Sequence, residues 1–285
     1  MQRLRNAIVK RMFEKRLTST QVSFLLYISR VQDIHGDVQG IYYKDACKDL
    51  GISYQQFYNL LRDMREAGFI QYEKASYYDY NIKIIGNDWE GRPHKDYVNT
   101  NKAMFYDPFF HKMKGNEKLL AIEFQKFVEI NRCSFHQKVE GLYEKYMRIF
   151  GVTKRVIRGY LHVLKRFFSI GIKDGQFYIS LRKEYKEKGP VESEEGSLNE
   201  HEVKVFCRRN RIHPVDGSKD FWDVGRLSVQ YRPEAEEKKK NIWRLLEECI
   251  ETSVSGLKGE SRKLRPKLIH QIIRKKLNLE EMCMG

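Results

Sequence analysis

The stretch Lys44–Glu73, KDACKDLGISYQQFYNLLRDMREAGFIQYE, decides how this chain is read. Lys44 to Leu50 has the make-up of a short helix. Gly51 supplies the left-handed residue that ends it, and Ser53 caps the next helix, expected over about Tyr54–Ala67. In that helix Phe57, Leu60, Leu61 and Met64 recur at helical spacing and must face a core. Gly68 ends it. Phe69–Glu73 and Asn81–Ile85 then read as two strands around the polar, aromatic tip Ala75–Tyr80. Upstream, Thr18–Gln32 is an amphipathic helix with Val22, Leu25, Leu26 and Ile28 on its apolar face. Ile41–Tyr43 is a short extended piece that follows the breaker-rich Asp33–Gly40.

The same grammar recurs at a constant offset of one hundred. Leu50-Gly51-Ile52-Ser53 returns as Phe150-Gly151-Val152-Thr153. Downstream, Phe57 matches Ile157, Leu61 matches Leu161, Met64 matches Leu164, Arg65 matches Lys165 and Ile70 matches Ile170. Upstream, Val22 pairs with Ile122, Phe24 with Phe124, Tyr27 with Phe127, Ile28 with Val128 and Tyr43 with Tyr143. Such ungapped correspondence across three expected helices indicates one module present twice. The second copy reads as helices at Glu117–Asn131, Val139–Phe150 and Lys154–Phe168. A hairpin follows, Ile170–Lys173 and Gln176–Leu181, turned by Asp174-Gly175.

Helix, strand, helix, glycine turn, helix and hairpin resembles the winged helix-turn-helix of bacterial DNA-binding regulators. The resemblance spans about 70 residues in the first copy and about 65 in the second, where Phe168 stands in place of Gly68. It implies an α+β, mainly α fold: two tandem winged helix-turn-helix domains and a C-terminal helical region. The expected layout is a basic N-terminal arm (1–17), the first winged module (18–86), a connector (87–116) and the second module (117–182). A charged linker (183–199) and the helical region (200–285) complete it. Tandem arrangement, length and basicity are also similar to Rep-type plasmid replication initiators.

In such modules the outer face of the third helix enters the major groove. Gln55, Asn59 and Arg62 lie there in the first copy, with Tyr54 and Tyr58 at the margin. Gln and Asn suit adenine and Arg suits guanine, although any solvated helix carries such residues. The second copy offers Lys154, Arg155, Arg158, His162 and Lys165, with Arg166 beside them. No acid interrupts the stretch between Lys145 and Lys173, so this face suits phosphate contact, plus a guanine read by Arg158. Lys173, on the second hairpin, is a further phosphate candidate. Tyr77, Tyr78 and Tyr80 on the first hairpin divide evenly between DNA contact and packing. Arg3, Arg5, Lys10, Arg11, Lys15 and Arg16 form the basic arm, which follows a groove or makes a solvated helix.

Charge distribution agrees with a polyanionic partner. The net charge is +15, and residues 1–115 carry 18 basic and 13 acidic side chains. Residues 116–183 carry 14 and 6, and residues 184–285 carry 21 and 19. No long apolar run or lipidation motif accompanies this charge, so nucleic acid is favoured over membrane. Five scattered cysteines (Cys47, Cys133, Cys207, Cys249 and Cys283) form no CxxC pair and suggest a reducing cytoplasm. Cys133 and His136, with His94 and His111 upstream, lack tetrahedral metal spacing, so no metal or cofactor is expected. GxSxG, Walker A, HExxH and HxH patterns are absent, and His270 with Arg274 has no accompanying Tyr nucleophile. No enzyme is expected.

In the tail, Ser197 and Glu200 form a capping box for a helix to about Arg211, and Phe221–Tyr231 is a further short element. A helix from Pro233 to about Val254 and another from Pro266 carry apolar stripes. This near-neutral region is a third small domain or a device for homodimerisation. The expected function is sequence-specific binding of double-stranded DNA as a transcription regulator. The alternatives are a plasmid replication initiator on repeated origin sites and a winged-helix module that binds proteins.

Overall fold

In the computed structural model of the chain, residues 2–90, 97–131, 134–186 and 194–279 are described. They are α+β and mainly helical, and they divide into two compact units, Met1–Val191 and Glu192–Gly285. No helix among them is long and apolar enough to cross a membrane.

The first unit opens with a strand, β1 (Arg3–Arg5), and a helix, α1 (Asn6–Glu14). Of the basic residues expected to follow a groove or form a solvated helix, Lys10, Lys15 and Arg16 are exposed, whereas Arg3, Arg5 and Arg11 are half-buried. These charges conceal an apolar stripe, and Leu4, Ile8, Val9, Met12 and Phe13 are all buried. The Arg11 guanidinium donates to the carbonyls of Gly68 and Ile85 and stacks on Phe69 at 4.8 Å. Arg3 lies 4.4 Å over the Tyr97 ring, and Arg5 donates to the Gly86 carbonyl. These arginines satisfy backbone groups and cover aromatic rings, so burial of the stripe fixes them in the fold.

Helix α2 (Ser19–Ile28) starts at a capping box in which Thr18 and Gln21 exchange hydrogen bonds with each other's backbone. Strand β2 (Asp37–Tyr42) is longer and earlier than the extended piece expected at Ile41–Tyr43, and Tyr43 already opens α3 (Tyr43–Leu50). The breakers misled there. Gly40 sits at a register shift between Val38 and Ile41 inside the β2 pairing and does not end the strand. Helix α4 (Tyr54–Glu66) and strands β3 (Ile70–Lys74) and β4 (Asp79–Ile84) complete the first copy. Asp79 and Tyr80, expected in the hairpin tip, are the first residues of β4.

The described residues of the expected connector, 87–90 and 97–116, belong to this unit. Strand β5 (Tyr97–Asn99) pairs antiparallel with β1, and a 3-10 turn (Ala103–Tyr106) and helix α5 (Pro108–Lys112) follow. The second copy comprises α6 (Gly115–Ile130), β6 (Ser134–Lys138), α7 (Val139–Phe150), α8 (Lys154–Leu164), β7 (Phe168–Lys173) and β8 (Gln176–Leu181). Strand β6 has no counterpart in the sequence reading of that copy. The two three-stranded sheets have the same order, β2-β4-β3 and β6-β8-β7. Helix α8 stops at Leu164, short of the expected Phe168. Phe168, which occupies the position of Gly68, is fully buried at the start of β7.

The two copies do not form separate domains. Their buried side chains make one continuous core. Phe13 stacks on Phe150 with centroids 5.7 Å apart. Lys118 on α6 is almost wholly buried and donates to the Ser23 hydroxyl and to the carbonyls of Ser19 and His111. Ser19 in turn donates to the Met113 carbonyl at 2.8 Å.

The second unit is helical: α9 (Glu194–Arg209), α10 (Ser218–Gln230), α11 (Arg232–Glu237), α12 (Ile242–Ser253) and α13 (Pro266–Lys276). Its own core gathers Val203, Cys207, Val224, Leu246, Cys249, Ile250, Leu264, Ile269 and Ile273. The single helix expected from Pro233 to Val254 is two. The Lys240 amide turns back onto the Ala235 carbonyl across a left-handed Lys239, and the Asn241 side chain caps α12. Helix α9 begins at Glu194, ahead of the Ser197 capping box. The rest of the expected linker lies partly outside the described residues.

Candidate nucleic-acid interface

The two glycine turns place the two candidate helices alike. Gly51 ends α3 at φ 66, ψ 39 and Gly151 ends α7 at φ 65, ψ 38, both left-handed, a conformation that glycine adopts without Cβ strain. Ser53 and Thr153 follow in nearly identical extended conformations, φ −76, ψ 164 and φ −78, ψ 161. Copy one adds a reciprocal capping box between Ser53 and Gln56. Val156 holds the equivalent third position in copy two and offers no such bond.

On α4, Phe57, Leu60, Leu61 and Met64 are buried as the spacing requires. Gln55 and Arg62 are exposed, and Asn59 is half-buried between them. The Gln55 side-chain amide donates from Nε2 to Asn59 Oδ1 at 3.2 Å, so the two side chains form one oriented amide row. Arg62 lies 3.6 Å from its exposed neighbour Asp63, a contact that solvent screens heavily.

Tyr54 and Tyr58 are 52% and 42% exposed, and they belong to a larger aromatic chain. Tyr43 meets Tyr54 at 5.1 Å and Tyr58 at 6.3 Å, Tyr42 meets Tyr43 at 5.4 Å, and Tyr78 meets both Tyr42 and Tyr77. This chain links α4 to the tip of the β3–β4 hairpin. Of the three hairpin tyrosines that the sequence divides evenly between DNA contact and packing, Tyr80 is buried against Phe57, whereas Tyr77 and Tyr78 are exposed. Tyr42 and Tyr43 were not singled out from sequence. Their proximity arises from α3 starting directly at the end of β2, a boundary the sequence did not mark.

On α8, Ile157, Tyr160, Leu161 and Leu164 are buried, while Lys154, Arg155, Arg158, His162 and Lys165 are exposed along one face. Tyr160 was missed as an inward residue, and Asn116 donates to its hydroxyl. Lys154 rests 4.9 Å over the Tyr143 ring, which orients the ammonium while leaving it in solvent. Lys173 is exposed beside the Asp174-Gly175 turn, with Ile172 62% exposed next to it.

Arg166, placed beside this set from sequence, has another task. It forms bonds to both oxygens of Asp107, and the Tyr185 hydroxyl donates to the same carboxylate at 2.7 Å. Burial alone would raise the Asp107 pKa. Hydrogen bonds from Tyr185, the Phe109 amide and Arg166 outweigh burial and hold it below the usual carboxylate range. Arg166 is therefore a clamp between the end of copy two and α5.

Among the described residues no three His, Cys, Asp or Glu side chains gather closely enough to hold a metal ion. Cys133 and His94, weighed from sequence as ligands, lie outside the described residues. Cys207, deep in the second core, has its thiol pushed up to about 12 by burial, so it stays protonated. The chain matches no family model, no curated protein and no solved structure.

Proposed function

We propose that this chain is a sequence-specific double-stranded DNA-binding protein whose first unit is a pair of winged helix-turn-helix modules, and that it regulates transcription. One observation carries the reading. Twice in one unit, a left-handed glycine turn delivers a helix whose inner face is buried and whose outer face is polar or cationic, with an antiparallel hairpin following it. That combination presents donors, acceptors and positive charge on an exposed helix, which is what entry into a major groove requires. The α8 face, five basic or imidazole side chains without an acid, adds the sequence-independent attraction to phosphates.

Selection from a random duplex pool, followed by affinity measurement at several salt concentrations, tests the reading. The expected result is a defined motif, bound far more tightly than random duplex, with affinity falling steeply as salt rises. No enrichment and no salt-dependent binding would remove it and would favour a protein-binding module.

A second reading, a replication initiator on repeated origin sites, is favoured by the shared core of the two modules. That core holds both candidate helices within one unit, so on this reading one protomer brings two faces to the DNA without a partner. The selected motif separates the two: a palindrome fits the regulator, and an asymmetric site that recurs as direct repeats fits the initiator.

A further inference from the structure

The second unit is nearly neutral overall, but its charges are segregated. Residues 234–251 hold six acids and four bases, whereas residues 258–276 hold eight bases and one acid. Five of those eight bases fall in the short stretch Lys258–Lys267, KGESRKLRPK, which leads into α13. A second basic stretch, Arg208-Arg209-Asn210-Arg211, ends α9.

The fold brings these two stretches together. The His213 amide donates to the Arg262 carbonyl at 2.8 Å, and the Leu264 amide donates to the His213 carbonyl at 2.7 Å. His213 and Lys263 are thus partners in a parallel bridge. Ile212 and Leu264 enter the core on one side of the bridge, while His213 and Lys263 emerge together on the solvent side. Arg211 and Arg265 flank them, both exposed. Adjacent extended backbones lie about 4.8 Å apart, so cations carried on the two strands are held at close range.

None of Arg211, Lys258, Lys263, Arg265 and Lys267 has a carboxylate within ion-pair distance among the described residues. Some cations elsewhere in the unit are paired, Lys204 with Glu200, Arg232 with Glu195, and Arg244 and Lys276 with Glu248, and exposed ones such as Lys219 and Arg226 do not lie on this bridge. Like charges gathered on rigid backbone without counter-ions repel one another, and a polyanion relieves that repulsion.

We propose that this bridge-centred patch of the second unit is an additional contact for the phosphate backbone of duplex DNA, distinct from the faces of α4 and α8. It rests on the proposed DNA-binding function and gives the second unit a part in it. The patch offers side-chain charge around a pinned backbone and no row of amides for base reading, so its contribution is independent of sequence. Once either module of the first unit is bound, the covalently joined patch meets the same DNA at high local concentration.

The test uses the full chain. Lys263, Arg265 and Lys267 are replaced together by Ala, and a control carries Lys219→Ala, Arg226→Ala and Arg244→Ala, which removes the same charge elsewhere in the same unit. All six side chains are exposed, and thermal melts verify that both variants stay folded. The slope of log affinity against log salt is measured on random duplex and on the preferred site. Each phosphate that the protein no longer neutralises lowers that slope by about 0.9, so the patch variant is expected to lose about two to three units on both DNAs. The control should lose less than one. Equal losses in the two variants, or a wild-type slope in the patch variant, would overturn the patch while leaving DNA binding by the first unit in place. Binding of neither DNA by the wild-type chain would overturn both. Loss of binding to anionic phosphatidylserine vesicles, with the DNA slope unchanged, would reassign the patch to a lipid surface and overturn it as a DNA contact.

Discussion

Gly115 and Lys118 show how single residues join the two copies into one unit. A Cβ added to Gly115 would lie 2.7 Å from the Leu17 carbonyl oxygen and 3.1 Å from the Ser19 amide, both backbone atoms. Gly115→Ala is therefore expected to force the start of α6 away from the start of α2 and to cost about 1–3 kcal/mol, measurable as a lower denaturation midpoint. An unchanged midpoint would mean that the contact yields freely. Lys118 is a buried cation with neutral acceptors only, and burial lowers its pKa to about 8. Its unfolded value is near 10.4. Between these two values the unfolded chain binds the additional proton, so this lysine makes stability rise with pH from about 8 to about 10.4. Its three hydrogen bonds favour the charged form, so the gain is bounded at about 3 kcal/mol. Denaturation of wild type and Lys118→Met at pH 7.5 and 9.5 measures it. The wild type should gain stability relative to the variant at the higher pH, and parallel behaviour would exclude the effect.

At the scale of the element, α4 and α8 share a scaffold and differ in chemistry. On the proposed reading, Gln55, Asn59 and Arg62 discriminate base edges, while Lys154, Arg155, Arg158 and Lys165 chiefly supply charge. Asn59→Ala or Arg62→Ala should cost about 1–3 kcal/mol on the preferred site and little on random duplex. Lys154→Ala or Lys165→Ala should weaken both alike and lower the salt slope by about one unit for each phosphate released. Thermal melts should stay near wild type, because these side chains lie opposite the buried stripes. The assignment fails if the α4 variants lose affinity uniformly and the α8 variants lose only discrimination. The helices also differ in length for a local reason. Gly68, left-handed at φ 76, lets α4 run to Glu66, whereas Phe168 must enter the core, so α8 turns out of its helix at Leu164.

For the whole molecule, the shared core of the first unit predicts simultaneous contact by both modules. A footprint on the preferred site should exceed one helical turn per protomer, because one recognition helix in one groove covers less than that. Nuclease or hydroxyl-radical protection on a site titrated to one protomer gives the answer. Protection limited to half a turn would mean that only one face engages.

The sequence by itself determined the helices, turns and buried faces whose information is local. Helical spacing places Phe57, Leu61 and Met64 inward, and their partners Ile157, Leu161 and Leu164 follow one hundred residues on. Asp174-Gly175 marks a hairpin, and Gly51 and Gly151 mark turns that few other residues can make. Only tertiary structure decided what depends on contacts between distant segments. Arg3, Arg5 and Arg11 read as a basic arm because charge dominates composition, but their partners are carbonyls and rings 57 to 94 positions away. Arg166 looked like a phosphate ligand until Asp107 was brought beside it. The tail looked neutral because a net charge adds over sequence, and the fold alone, by pairing His213 with Lys263, brings the basic end of α9 beside the basic stretch Lys258–Lys267. Periodicity is written along the chain, whereas the fate of a charge depends on what the packed core places across from it.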